Sequence, residues 1–576
     1  MLKKAISLII LILIALCNTI PISSAYSPDE RYEKNKLLAS LYEADVADIS
    51  EAVKKGYVSC EEVTRYYLRR IERYNKDYNC FITVCDDAIE KARERDEQLK
   101  NGDAAGRLFG VPVAVKDNMM YKGTYTTNGH SFSASKKAKS NASVVESLLK
   151  EGAVIIGKTN MSTDAQNART SLSIVVGETK NAYNTDLSAG GSSGGTATAV
   201  SLNFCSAGLG TDTNSSLRYP AALAGCVTLR PTFSLIDTKG ILPLNSTRDV
   251  PGAITRTVYS QAVMLDVLTD NEYGFADALN EEALSSGVKI GVLKELSYAV
   301  KNTYSGGASS KFDISYRTAK YIDDEVSEAF SVAVNALKKA GAEVTEVSFP
   351  KLFSLSYKTF ESNAKANKTA LYNAFKKFME ENSLDAVIFP TYLSAPMKSA
   401  AKCNINSAVF INNCRALSPS AGVPELTLPI GQHSSGAGIG LEIATLKNGE
   451  QLLLDIGSSL EKELSARAVP EGARDIYARY YEKSLDELLH PVTVTKPLLP
   501  VDDEVSTAPS EELTSSEEYS EDKNSLVHGA LPYIVVIGSV IILLSIGFIY
   551  TKRAPYFTED KAKHEEKQEE EVTESV

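Results

Sequence analysis

Histidine is scarce in this 576-residue chain: the only five are His130, His433, His490, His528 and His564. None stands in a Gly-x-Ser-x-Gly turn or beside another nucleophile signature, so the usual histidine base of a reactive serine is excluded. No His-Glu-x-x-His and no paired Cys-x-x-Cys occurs, which removes the common zinc patterns; neither a metal nor any other cofactor is expected. Of the eight cysteines, Cys17 falls in an apolar leader and seven remain. An odd count without an even spacing framework excludes a disulfide-built fold, and Cys80 and Cys85, near enough to pair, read better as buried apolar residues. The net charge of −12 argues against a nucleic-acid partner, and there is no internal repeat.

What the chain does have is two blocks of small residues around serines. One is Gly190-Gly191-Ser192-Ser193-Gly194-Gly195; the other runs from Gly210 to Ala221 through Asp212, Ser216 and Arg218. Flexible linkers are the competing reading, but linkers are not flanked by apolar runs such as Ala197 to Leu202 and Ala221 to Leu229. Ahead of both blocks Lys116 ends an apolar run, Val111 to Val115, that reads as a buried strand. Burial disfavours an ammonium and lowers a lysine pKa towards roughly 7 to 8, where the amine can take a proton from a serine. Glycines beside the serines allow turns whose successive N–H groups converge on an anion. Together these residues read as a Ser-Ser-Lys amide hydrolase.

A second motif is refused. Gly152 to Thr159 fits the phosphate-loop pattern, yet its middle, Ala153-Val154-Ile155-Ile156, reads as a strand, whereas a phosphate cradle needs a loop there. An amphipathic helix with Val144, Val145, Leu148 and Leu149 on its apolar face precedes it and stops at Gly152.

The serine blocks resemble the amidase signature family, as do Gly110-Val111-Pro112 leading to Lys116-Asp117, Gly152 to Met161, Leu229 to Thr232 and Gly252 to Val258. The resemblance covers about residues 36 to 490. It implies that Ser216 is the nucleophile, Ser192 the bridging serine on a cis peptide bond and Lys116 the base. It further implies an oxyanion hole of the backbone N–H groups of Thr213, Asn214, Ser215 and Ser216, with Asp212 and Arg218 bracing the loop. Asn214 and Ser215 stand where the family usually has two glycines, and Ala189 where a proline is common. Asn tolerates left-handed backbone; the Ser215 Cβ could narrow the acyl pocket.

The chain ends suggest a location. Lys3 and Lys4 precede the apolar stretch Ala5 to Leu16 and a small-residue site at Ser23-Ser24-Ala25, so residues 1–25 read as a signal peptide. Gly529 to Tyr550 is uncharged, long enough to cross a bilayer and followed by Lys552-Arg553. The expectation is a single-pass membrane protein, the bilayer its partner through this helix, with the catalytic domain extracytoplasmic and a charged tail, 551–576, in the cytoplasm. Residues 491–528, rich in Pro, Ser, Thr, Glu and Asp, read as an extended stalk.

Between these ends helix signals alternate with short apolar strands. Ser59 and Glu62 form a capping box for a helix through Tyr74, and Ile322, Val326, Phe330, Val334 and Leu337 line a helix before Gly341 and the strand Val344 to Phe349. This alternation means an α/β fold. The family resemblance implies one large domain, 26–490, with a mixed central β-sheet flanked by helices on both faces. The expected function is a serine amidase acting on a small-molecule or peptide amide. A catalytically impaired binding protein and an amidotransferase-type subunit working with a partner are the alternatives.

Overall fold

The computed structural model describes residues 38–298, 320, 322–362, 365–404 and 409–473. Its first long helix, Cys60–Tyr78, begins as expected: the Ser59 hydroxyl accepts from the Glu62 N–H at 3.1 Å while the Glu62 carboxylate accepts from the Ser59 N–H at 2.9 Å. It runs one turn beyond Tyr74 and ends at Asn79 in the left-handed conformation. The helix predicted from Val326 and Phe330 spans Asp324–Lys339, with Val326, Phe330 and Leu337 buried.

Eleven strands form one sheet: β1 (Phe81–Val84), β2 (Pro112–Lys116), β3 (Val154–Thr159), β6 (Ala207–Asp212), β7 (Val227–Arg230), β8 (Val250–Thr255), β9 (Lys289–Leu293), β10 (Glu343–Val347), β11 (Ala386–Pro390), β12 (Glu425–Gln432) and β13 (Gly438–Ala444). Two short strands, β4 (Leu172–Ser173) and β5 (Gly177–Glu178), pair apart from it. The spatial order is β1-β3-β2-β6-β8-β7-β12-β13-β11-β9-β10. β3, β2 and β6 are mutually parallel, as are β11, β9 and β10, while the strands between are antiparallel, so the sheet is mixed.

Alternation along β11 shows why both faces are covered. Ala386 and Ile388 pack into the larger apolar cluster, whereas Val387 and Phe389 point into a second cluster with Leu371 and Phe375 of helix Lys365–Glu381. Helices therefore flank the sheet on both sides, as expected. The refused phosphate loop is β3, with Gly152 at φ +86 closing the helix before it and Lys158 paired to Asp117 at 3.0 Å. Cys80 and Cys85 are buried and free, as are Cys60, Cys205, Cys226 and Cys414.

The expected transmembrane helix needs correction. Among the described residues no helix is long and apolar enough to cross a membrane. The longest, Cys60–Tyr78, is studded with charged side chains along its outer face, and such a helix buries one stripe only. The span Gly529 to Tyr550, the signal peptide at 1–25, the stalk and the tail lie outside the described residues. The fold class of the described residues is thus a mixed α/β domain built on a large central sheet, with no membrane-crossing helix among them.

Candidate active site

Parallel β2 and β6 lie side by side, Val115 opposite Leu209, so their carboxyl ends open in the same direction. Lys116 is the last residue of β2, and Thr211 and Asp212 end β6. Ser192 and Ser193 precede helix Gly194–Ser201, and the Gly191–Ser192 peptide bond is cis. The two serine blocks are stitched together by the Ser193 N–H, which donates to the Ser216 carbonyl at 3.2 Å. Gly210 permits this approach, because a Cβ there would sit 2.9 Å from Ser193 Oγ.

Lys116 is fully buried and meets three hydroxyls: Ser192 Oγ at 2.7 Å, Ser193 Oγ at 2.9 Å and Thr211 Oγ1 at 2.9 Å. Among the described residues no carboxylate forms an ion pair with it. Burial pushes its pKa down to about 7, with Asp212 and Asp249 pulling weakly the other way. In its neutral form, well populated at neutral pH, the amine has two N–H donors and one lone pair. Ser193 Oγ already donates to the Thr211 carbonyl at 3.2 Å and can only accept from the lysine. Ser192, at the shortest distance of the three, is placed to donate to the lone pair.

The loop carrying Ser216 hangs on Asp212. Its carboxylate accepts from the Leu217 N–H at 3.1 Å, from Arg218 Nε at 3.1 Å and from Arg230 Nη1 at 3.0 Å. Arg218 Nη2 reaches the Asn214 carbonyl at 3.0 Å, and Arg248 Nη1 meets Asn214 Oδ1 at 3.2 Å. Thr213 Oγ1 is tied to Asp249 at 2.5 Å. These bonds fix the side chains and carbonyls of the loop. Among the described residues, the backbone N–H groups of Thr213, Asn214, Ser215 and Ser216 find no acceptor within the protein. A cradle of unsatisfied amides next to a neutral amine and two serines can bind a developing oxyanion and move a proton.

The structure therefore brings together Lys116, Ser192, Asp212, Ser216 and Arg218, the residues expected from sequence, and adds Ser193, Thr211, Arg230 and Asp249. Ser193 and Thr211 stood inside the quoted blocks, but nothing in their spacing marked them as partners of the lysine. Neither described histidine reaches the serines: His130 pairs with Asp164 at 2.8 Å and His433 with Ser435 at 2.8 Å. A groove of about 470 Å³ lined by Ser162, Gln166, Asn167, Arg169, Phe410 and Arg415 adjoins the site. Ala168, in its wall, accepts the Gly191 N–H at 3.0 Å, and a Cβ on Gly191 would meet the Asn167 carbonyl at 2.4 Å.

The amidase family model matches residues 62–356 and 352–454. The chain belongs to the amidase family. It is an amide-hydrolysing enzyme by that membership. A glutamyl-tRNA(Gln) amidotransferase subunit from Thermoanaerobacter pseudethanolicus is 28% identical over 492 residues, covering 75% of this amidase and 100% of the relative. Its counterpart from Cenarchaeum symbiosum is 33% identical over 333 residues, covering 56% and 64%. The peptide amidase of Stenotrophomonas maltophilia shares the fold at a TM-score of 0.60 and 24% identity, covering 74% of this chain and 98% of its own. A fatty acid amide hydrolase does so at 0.63 and 19%, covering 75% and 86%. Relatives named as amidotransferase subunits, with no membrane-crossing helix among the described residues, overturn the expected single-pass, extracytoplasmic placement. The bilayer is likewise dropped as a partner.

Proposed function

We propose that this amidase hydrolyses a carboxamide C–N bond through an acyl-enzyme on Ser216. The observation that carries the reading is the buried Lys116 amine, 2.7 Å from Ser192 Oγ and lacking a carboxylate partner, which is the state a proton acceptor needs. In the first half-reaction Ser216 Oγ attacks the amide carbon, its proton passes to Ser192 Oγ, and the Ser192 proton passes to Lys116. The oxyanion is received by the free amides of Thr213 to Ser216. Collapse breaks the C–N bond, and the leaving nitrogen takes the proton back through Ser192. Water, deprotonated along the same relay, then attacks the ester, releasing the acid and restoring Ser216. The groove beside Gly191 offers room for the remainder of a small-molecule or peptide amide.

Incubation with a fluorophosphonate probe followed by peptide mapping tests this. Label on Ser216, abolished in Ser216→Ala together with ammonia release from a panel of primary and peptide amides, is the expected result. Label that persists in Ser216→Ala rejects the assignment.

A second reading is favoured by the curated relatives, which span the catalytic region and are named as amidotransferase subunits. In it the same acyl-enzyme releases ammonia to a partner protein. Ammonia release by the isolated chain at rates unaffected by added partner proteins separates hydrolysis from this alternative.

A further inference from the structure

The brace behind the nucleophile loop continues into the sheet. Arg218 stands between Asp212 and Glu425, bonding both carboxylates, and its Nη1 also donates to the Cys414 carbonyl at 2.8 Å. The other Glu425 oxygen, Oε2, is buried without a hydrogen-bond donor, and close to this carboxyl stands that of Glu442 of β13, which faces Thr427 of β12. Thr427 Oγ1 lies 2.9 and 3.0 Å from the two Glu442 oxygens, Thr391 Oγ1 lies 2.7 Å away and Cys414 Sγ 3.6 Å. The ligand atoms of Cys414, Glu425 and Glu442 all fall within 4.8 Å of one another.

The charges of this closed network do not balance. Three carboxyl groups, Asp212, Glu425 and Glu442, meet two guanidiniums, Arg218 and Arg230, and all five side chains are at 0% exposure. Solvent cannot compensate the third negative charge, and an unpaired buried carboxylate is among the most costly groups a protein can hold. Two carboxylates have no donor between them, and Glu425 Oε2 has none from elsewhere, so a proton shared between the neighbouring carboxyls is what satisfies it. Arg218 draws the negative charge to Glu425. Among the described residues the polar side chains that meet Glu442 are hydroxyls, a thiol and Glu425, so the proton resides there. Burial, and then the charge of Glu425, raise the Glu442 carboxyl well above the ordinary range.

We infer that Glu442 is a neutral carboxylic acid donating to Glu425, and that the pair positions Ser216 through Arg218 and Asp212. This rests on Ser216 as nucleophile; Glu442 touches no reacting atom and is a positioning residue.

Infrared spectroscopy of the full chain in D₂O tests the protonation without reference to activity. At neutral pH the spectrum of the wild type minus that of Glu442→Gln should contain the C=O stretch of a buried protonated carboxylic acid. Taking the difference removes any band from other buried acids, such as Glu461, whose carboxyl is raised to about 7 by burial. A difference spectrum without that band overturns the proposal. Kinetics test the positioning. Glu442→Leu removes the donor to Glu425 and should lower kcat roughly 10-fold with KM little changed, the size of one hydrogen bond to a charged group. Glu442→Gln keeps a donor at the same place and should restore most of that loss. Equal impairment of both variants would mean that the wild-type residue acts as a charge and would overturn the inference. The melting temperature of Glu442→Gln should also gain on that of the wild type as pH rises above the ordinary glutamate range, because the proton is then costly to retain. Failure of fluorophosphonate to label Ser216 in the wild type removes the catalytic reading, and the positioning claim with it, while leaving the carboxyl band as an independent result.

Discussion

Lys116 Nζ lies 2.7 Å from Ser192 Oγ, and its two remaining neighbours, Ser193 and Thr211, are hydroxyls as well. A lysine so placed titrates near neutrality, with its pKa held down to about 7 by burial. In the proposed mechanism the neutral form is the base, so kcat/KM should rise with pH through about 7 and level off above it. Lys116→Arg should lose roughly 100-fold or more on the scale of general-base catalysis, since a guanidinium stays protonated. A pH–rate profile of acylation checks both; a folded Lys116→Arg protein with wild-type activity would leave the lysine without its role.

The same burial costs stability. A lysine whose folded pKa lies below its unfolded value favours folding less as pH falls from 10.5 to about 7. The penalty at neutral pH is on the order of 4 kcal/mol, offset in part by three hydrogen bonds of about 1 kcal/mol each. Lys116→Met should therefore be inactive yet melt above the wild type. Its advantage should be largest at or below about pH 7 and shrink toward pH 10.5. Thermal melts across that range measure it.

Adjacent serines should separate cleanly. Ser192→Ala removes the group that faces the lysine lone pair and should cost acylation on the order of 100-fold or more. Ser193→Ala removes an acceptor of the lysine N–H and a donor to the Thr211 carbonyl but leaves the lone-pair partner in place, and should cost only about 3- to 10-fold. Pre-steady-state acylation rates give the comparison, and equal losses would assign the relay to both.

Asp212→Asn leaves Arg218 and Arg230 buried without their shared counter-charge. Breaking a buried pair in this way costs about 3 to 5 kcal/mol. Urea unfolding should show that loss, and fluorophosphonate labelling should fall as the loop loosens.

Ser215 replaces one of the glycines usual to the family, and its Oγ is buried without a hydrogen-bond partner. Ser215→Ala removes that orphan and should raise stability by about 1 kcal/mol while retaining activity. A large loss of kcat in Ser215→Ala would instead give the hydroxyl a part in the reaction.

Much of this site was legible in the sequence because its members sit in unbroken local signals. Lys116 closes an apolar run that becomes β2, Ser192 lies among glycines that close packing demands, and Ser216 stands in a block of small residues opened by Gly210. Thr211 and Asp249 were not legible as neighbours of the lysine, since only the pairing of β2 with β6 and of β6 with β8 brings them to it. Glu425 and Glu442 carried no signal either: a carboxyl inside an apolar strand reads as an outward residue until the opposite strand and Arg218 enclose it. The apolar span at 529–550 lies outside the described residues, and its length alone does not state where the folded domain resides.

The lysine is anchored at the end of an interior strand rather than on a rim loop, with β3 on one side of its strand and β6 on the other. Its backbone amide and those of Val113 and Val115 should therefore exchange slowly, released to deuterium chiefly when the sheet itself opens. Hydrogen–deuterium exchange on this enzyme would see the nucleophile loop breathe many times before the base is ever uncovered.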